Sequence, residues 1–408
     1  MERRVVVVGS GQGGFQVAAS LREEGYTGAI TVVGEEPGLP YQRPPLSKGY
    51  LLGKVQDAQI ELRPAPFYAE QGIDVLAGEH VTGIDRAARR VHLRSHSSLA
   101  YEHLVLATGA RARIPAVAGA ELEGVLSLRT RTDSQALLAR LSHANRMVVV
   151  GAGFIGLEVA VIARELGLDV HVLEFADRAL KRVVSSQAAD FLTQSLLDRG
   201  VRFSFLAGAA GYAGSEGRVT GVRTTRGEML AADVVVIGIG VEPNVELARA
   251  AGLKVQDGIL VDAQLLTQDA AISAIGDCAR FPAPYSNEPI RIESVQNAVD
   301  QARCVAARIA GKPQPYDKVP WFWSDQGRNR LQIAGVAQAD DLAVVRGDVS
   351  AGKFSVFRFR DGLLRAVESI NSAADHMAAR KLLAAPHAIS PEQAADITVK
   401  LAALAAAS

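Results

Sequence analysis

Cysteine is almost missing from this chain. Cys278 and Cys304 are the only two among 408 residues, and no CxxC occurs. That excludes a disulfide scaffold, a zinc ribbon and a vicinal dithiol centre. Net charge is missing too, with 44 lysines and arginines against 44 aspartates and glutamates. A polyanion binder is normally basic, so neither nucleic acid nor an anionic membrane is expected as a partner. No run of about 18 apolar residues occurs, which argues against a transmembrane helix. Met1-Glu-Arg-Arg followed by four valines superficially resembles a signal peptide. The apolar run is too short and Gly9 breaks it, so it reads as a strand of a cytoplasmic protein. There is no long Gly/Ser-rich linker, and only the alanine-rich tail is low in complexity. At about 150 residues per domain, the length implies two or three domains with substantial cores.

What is present is a repeated α/β pattern. Val5–Val8 is a β-branched run, Phe15–Glu24 has apolar Phe15, Val17, Ala18 and Leu21 at helical spacing, Gly25 stops it, and Ile30–Val33 follows. The same order returns with Met147–Val150, Leu157–Leu166, a stop at Gly167 and Val170–Leu173. Continuous β-branched runs joined through a helix predict parallel strands in βαβ units. Gly9 and Gly151 lie 142 residues apart, so this is a duplicated Rossmann-like domain rather than a short repeat. After residue 315 the pattern changes to alternating strands such as Lys353–Arg360, and an alanine-rich helix is expected from Pro391. Residues 316–408 read as an α+β domain.

Each βαβ unit carries a GxGxxG turn. In Gly9-Ser-Gly11-Gln-Gly13-Gly14, Gly9 permits the tight turn, Gly11 admits a pyrophosphate, and Gly14 lets helix and strand pack closely. The helix N-terminus then offers free N–H groups to the phosphates. The ribose carboxylate after the second strand is Glu35 or Glu36, with Glu35 preferred. Gly151-Ala-Gly153-Phe154-Ile155-Gly156 repeats the template, and Glu174 follows 23 residues after Gly151. A carboxylate there accepts hydrogen bonds from an adenosine ribose and repels a 2′-phosphate, so NADH is favoured over NADPH. Arg178, Lys181 and Arg182, just downstream, soften that preference only if they face the site. Two such turns imply a resident flavin, FAD, and a transient nicotinamide, NADH.

Further segments carry a resemblance. Ala107-Thr108-Gly109-Ala110, Gly238-Ile239-Gly240 with Pro243-Asn244, and Ala274-Ile-Gly276-Asp277 resemble the FAD- and NAD-dependent pyridine nucleotide-disulfide oxidoreductase superfamily. Pro40–Lys48, Arg291–Ala298 and Trp321–Gln326 are similar, more narrowly, to the ferredoxin reductases of bacterial oxygenase systems. The resemblance spans the chain and implies a glutathione-reductase-like division. An FAD-binding domain covers 1–110 and 242–315, an NAD-binding domain 111–241, and a C-terminal α+β domain 316–408. It implies that Lys48 and Arg43 are flavin-side cations, that Lys48 pairs with Glu158 near the flavin N5, and that Pro45 lies against the ring. It places Ala107, Thr108 and Gly109 on the FAD phosphate side with Arg129 nearby, and Asp277, after Gly276, on the ribityl chain. It puts Ile239 and Gly240 along the nicotinamide, Glu293 at its amide, and Ser294 and Val295 at the pyrimidine end, where a helix N-terminus stabilises negative charge. Trp323 is implied to stand over the flavin.

The dithiol branch of the superfamily carries its cysteine pair after the first βαβ unit. Here Arg43–Lys48 contains none, so Cys278 and Cys304 read as small buried residues. The expected reaction is hydride transfer from NADH to FAD, then single electrons to a [2Fe–2S] ferredoxin. Such a partner is acidic and transient, and Arg63, Arg303, Arg328 and Arg330 are candidates to dock it. Residues 291–330 hold seven lysines or arginines against four acids. A rubredoxin reductase, a reductase of another one-electron carrier, a nitrite reductase component, or a non-catalytic NADH-sensing flavoprotein remain as alternatives.

Overall fold

A computed structural model describes residues 4–286, 288–384 and 389–407. The chain divides into two compact units. One comprises residues 1–42, 56–111 and 242–320, and the other 43–55, 112–241 and 321–408.

The first unit is built on a five-stranded parallel sheet. Its order is Ile272–Ala274, His103–Leu106, Arg4–Val8, Ala29–Gly34, Ile73–Ala77. Val5 to Val8 are buried on both faces, as a central parallel strand requires. The helix Gln12–Glu23 begins three residues before the expected Phe15, because the second half of the glycine turn, from Gln12 past the extended cap Gly11, already has helical geometry. Phe15, Val17, Ala18 and Leu21 face the core, where Ala302, Val305 and Ala306 of helix Val295–Ile309 join them. Gly25 ends the first helix with φ +85°, a conformation costly for other residues.

The second unit repeats the plan. Its parallel sheet runs Arg202–Phe205, Asp169–Glu174, Arg146–Val150, Val234–Ile237, Val125–Ser127. Helix Phe154–Glu165 stops before Gly167, whose φ is +89°. A second, antiparallel sheet in this unit has the order Trp321–Gln326, Asn329–Gly335, Leu363–Ile370, Lys353–Arg360, Leu342–Asp348. It is tied to the parallel part through a buried carboxylate. Glu368 accepts hydrogen bonds from the backbone N–H and hydroxyl of Ser185 and from Arg358 at 3.0 Å.

The alanine-rich tail is not one helix. It forms Pro391–Ala395 and Leu401–Ala407, separated at Asp396–Lys400. Thr398 bonds the Asp396 carboxylate through both its N–H and hydroxyl, which competes with helical pairing. The Arg346 guanidinium takes the carbonyls of Asp396, Ile397 and Val399. A helix needs those carbonyls for its own N–H groups. No described helix is long and apolar enough to cross a membrane.

Candidate dinucleotide sites

The first glycine turn sits at the carboxyl end of the first unit's central strand. Gly9 has φ +111°, and a methyl there would strike the Ala107 carbonyl. A methyl on Gly14 would collide with the Gly9 carbonyl, so helix and strand approach as closely as glycine allows. Gly13 is less crowded, with the tip of the Ile275 side chain 3.2 Å from where a methyl would sit. Gly11 differs: a methyl there would meet nothing within 4 Å. The helix it caps has no side-chain cap and no acid in its first turn. Free N–H groups therefore open onto space beside Gly11, a cradle that fits a pyrophosphate.

Ala107, Thr108 and Gly109 are locked to Asn244. The Thr108 hydroxyl donates to the Asn244 carbonyl at 2.7 Å, the Asn244 amide donates to the Thr108 carbonyl at 2.9 Å, and the Asn244 N–H donates to the Gly109 carbonyl at 2.9 Å. Two motifs 136 residues apart thus form one support. On the same unit, Gly276, Asp277 and Cys278 form a 3₁₀ turn, with the Gly276 N–H on the Gln301 side chain at 2.7 Å. Arg291 donates to the Asp277 carbonyl at 3.2 Å and pairs with Glu293 at 2.5 Å. Ser294 caps helix Val295–Ile309, so Val295 is its first residue.

Strand register places both Glu35 and Glu36 beyond the counterpart of Glu174. Val8 pairs with Val33, and Val150 with Leu173. Gly34 therefore holds the place in the first unit that Glu174 holds in the second. Ser10 fills the room a side chain at Gly34 would need. The Glu36 carboxylate accepts the Tyr41 hydroxyl at 2.5 Å, while Glu35 is exposed, with His80 at 3.3 Å and Arg94 at 3.8 Å.

The second turn belongs to the second unit. Gly151 has φ +104° and lies against Gly238, while Gly156 lies against the Gly151 carbonyl. Gly153 caps helix Phe154–Glu165, which again lacks a side-chain cap and a first-turn acid. Glu174 is held by two backbone donors, Ala152 N–H at 2.7 Å and Ala176 N–H at 2.8 Å. Its carboxylate is thereby fixed beside the turn. The Ile155 side chain is exposed, whereas the Phe154 ring packs 4.7 Å from Phe322. Ile239 packs partly into the core, and Gly240 has φ +105° with Arg182 close by.

The same unit holds the expected ion pair. Lys48 Nζ lies 2.7 Å from Glu158, whose side chain is only 3% exposed. Glu158 also accepts the hydroxyls of Ser47 and of Ser324, the latter at 2.6 Å, and the Asp325 N–H at 3.3 Å. Four donors thus satisfy the hydrogen-bonding capacity of this buried carboxylate, and one of them is a cation. Ser47 and Ser324 went unnoticed in the sequence. Each stands beside a residue singled out there, Lys48 and Trp323, but a lone serine carries no spacing signal. Pro44 and Pro45 open the 3₁₀ turn that presents Lys48. Arg43 donates to the Arg129 carbonyl at 2.6 Å, which brings those two residues together. The Trp323 ring lies 5.6 Å from Trp321.

Cys278 is fully buried and Cys304 half-buried. Burial raises both thiols above their ordinary pKa. Neither is an activated nucleophile.

The sequence matches the family "Pyridine nucleotide-disulphide oxidoreductase" over residues 3–302 and "Reductase C-terminal" over residues 321–405. The chain belongs to this oxidoreductase family. It is 49% identical to rhodocoxin reductase of Rhodococcus erythropolis over 392 residues, covering 96% of this chain and 92% of that protein. Its structure is similar to that of the ferredoxin reductase for the CYP199A2 system from Rhodopseudomonas palustris, with TM-score 0.96, 47% identity, and coverage of 98% and 99% of the two chains. It is equally similar to the covalent putidaredoxin reductase–putidaredoxin complex, with TM-score 0.96, 38% identity, and coverage of 99% and 98%. The resemblance drawn from the motifs, and the α/β class with two Rossmann-like parts and a C-terminal α+β part, hold. FAD and NADH are the cofactors the family implies, and the two glycine cradles suit two dinucleotides.

Proposed function

We propose that this protein is an NADH-dependent ferredoxin reductase that passes electrons to a [2Fe–2S] ferredoxin serving an oxygenase. One observation carries the reading. Two dinucleotide cradles, each with its own helix N-terminus, occur in a chain whose two cysteines are unpaired and unactivated. Electrons taken from NADH therefore have no dithiol to pass through and leave directly for an outside carrier. When bound, FAD supplies the change from two-electron to one-electron chemistry. Relatives named for rhodocoxin and putidaredoxin support a ferredoxin-type carrier.

The chain's own residues bind, orient and tune. Gly9, Gly11, Gly13 and Gly14 admit the FAD pyrophosphate, with Glu35 at its ribose. Ala107–Gly109, Arg129, Gly276 and Asp277 hold the remainder, and Ser294 and Val295 direct a helix N-terminus at the pyrimidine end. Gly151, Gly153, Phe154, Ile155 and Gly156 receive NADH, Glu174 its ribose, and Ile239, Gly240 and Glu293 its nicotinamide. Lys48, held by Glu158, places a positive charge where negative charge develops on reduction. Arg43 and Pro45 complete that side, and Trp323 lies against the ring.

The division into an FAD-binding part (1–110 and 242–315), an NAD-binding part (111–241) and a C-terminal part (316–408) belongs to this reading, as does a cytoplasmic location. The carrier is acidic and transient, docked with help from Arg63, Arg303, Arg328 and Arg330. The test is NADH-driven reduction of a purified [2Fe–2S] ferredoxin, followed by its absorbance across a salt titration. Rapid turnover with kcat/KM falling as salt rises is expected. A protein that is reduced by NADH yet passes electrons to no carrier would be a sensor instead.

A further inference from the structure

Strand Trp321–Gln326 turns Phe322, Ser324 and Gln326 to one face, since side chains alternate along a strand. That face meets the start of helix Phe154–Glu165. The Phe322 ring packs 4.7 Å from Phe154, and the Ser324 hydroxyl donates to Glu158, one helical turn further on, at 2.6 Å. Gln326 makes the third contact. Its amide nitrogen donates to the Phe154 carbonyl at 3.3 Å and to the Ser324 hydroxyl oxygen at 2.8 Å.

Ser324 and Gln326 are both fully buried, where an apolar side chain would cost less desolvation. The Gln326 side-chain carbonyl has no partner among the described residues. An interior amide with one end unsatisfied lowers stability, which points to a role other than packing.

The orientation of that amide is fixed by what it faces. A carbonyl can only accept, so the NH₂ and not the oxygen of Gln326 must meet Phe154. The second N–H of the same NH₂ reaches Ser324, whose oxygen accepts it. The one proton of Ser324 is then aimed at Glu158 Oε1. The Asp325 N–H meets the same oxygen at 3.3 Å, which leaves Oε2 to Ser47 and to Lys48 at 2.7 Å. The chain of donors runs in one direction, from Gln326 through Ser324 to Glu158, and Lys48 is held at its far end.

We propose that Gln326, acting through Ser324, is a positioning residue for reduction of the flavin. It sets the rotation of the Glu158 carboxylate and thereby the place of the Lys48 ammonium. The proposal rests on the preceding reading that Lys48 faces the flavin. The same amide grips the Phe154 carbonyl in the turn assigned to NADH, so one side chain registers that turn against the Lys48 charge.

Gln326→Leu keeps the bulk and removes the NH₂, and Ser324→Ala breaks the next link with a smaller change in shape. The first readout needs no flavin: acetylation of Lys48 by dilute acetic anhydride, followed by mass spectrometry of the full-length protein. Both variants should acetylate Lys48 about threefold faster, the effect of losing one ordinary hydrogen bond, while the other lysines keep their rates. The second is stopped-flow reduction of the FAD-bound protein by NADH. The limiting rate should fall about tenfold at an unchanged half-saturating NADH concentration, the sign of an interaction used in the transition state alone. In a Lys48→Met background, Gln326→Leu should add no further loss, because both changes act through one group. Unchanged Lys48 acetylation or an unchanged limiting rate in Gln326→Leu overturns the proposal, as does an equal fold-loss in the Lys48→Met background. Failure of the parent reading looks different: Lys48→Met would itself be reduced at the wild-type rate, which overturns the proposal by removing Lys48 from the flavin while its acetylation still depends on Gln326.

Discussion

Replacing Glu158 by glutamine tests the buried ion pair with the smallest change in shape. The native carboxylate accepts from Lys48, Ser47, Ser324 and the Asp325 N–H. Glutamine keeps one oxygen, enough for Ser324 and Asp325. It turns the other position into an NH₂ that faces the Lys48 ammonium and the Ser47 hydroxyl, donor against donor. Removing one partner of a fully buried pair costs about 3–5 kcal/mol. The Lys48 side chain remains 24% exposed and water relieves part of its charge, so the loss is set lower, at about 2–3 kcal/mol. Urea unfolding of the second unit, followed by tryptophan fluorescence through Trp321 and Trp323, measures it. Lys48→Met combined with Glu158→Gln removes the stranded charge and recovers much of the loss, giving a coupling energy well above the ~0.5 kcal/mol of independent sites. Stopped-flow reduction of the FAD-bound protein by NADH should slow in Glu158→Gln, because a Lys48 without its anchor no longer holds a fixed position. Unchanged unfolding together with an unchanged reduction rate would refute the reasoning.

Glu174→Ala should raise KM for NADH while changing NADPH use far less; equal effects on both would remove Glu174 from the ribose. Gly14→Ala forces a methyl onto the Gly9 carbonyl and should yield protein purified without FAD absorbance, whereas Gly11→Ala, with space around it, should fold normally yet bind FAD more weakly. Acid sensitivity follows from two buried histidines. Burial, with Arg308 next, lowers His103 to about 3, and burial, with Arg380 and Arg330 next, lowers His376 to about 4. Both folded values lie below the ordinary value of about 6.5, so the unfolded chain binds more protons. The stability of the neutral rings is present above pH 6.5 and is lost as the pH falls toward 4 and 3. His376→Phe should flatten part of that decline in thermal unfolding between pH 7 and 5, and an identical slope would remove His376 from the account.

The two nucleotide turns were legible from the sequence because their physics is local. A strand, a glycine turn and a helix N-terminus occupy a few consecutive residues, and the φ of Gly9 and the crowding at Gly14 are properties of that short stretch. The start of the first helix was read late because Gly13 and Gly14, poor helix formers, belong to the helix for their lack of bulk rather than their propensity. The tail was misread for the opposite reason. Alanine favours a helix, but Arg346, some fifty residues away, takes the carbonyls that a continuous helix needs.

Sequence alone determined the family, the two cofactors and the absence of dithiol chemistry, since each rests on residue identity or short spacing. Tertiary structure decided what surrounds those residues. It placed Ser47 and Ser324 on Glu158, joined Thr108 to Asn244, and set Gly34 rather than an acid at the counterpart of Glu174. It also left Phe175 bare beside that carboxylate. Hydrogen bonds between residues 111 to 166 positions apart carry no periodicity for a sequence to reveal. Strand register and exposure likewise arise only when the strands pair.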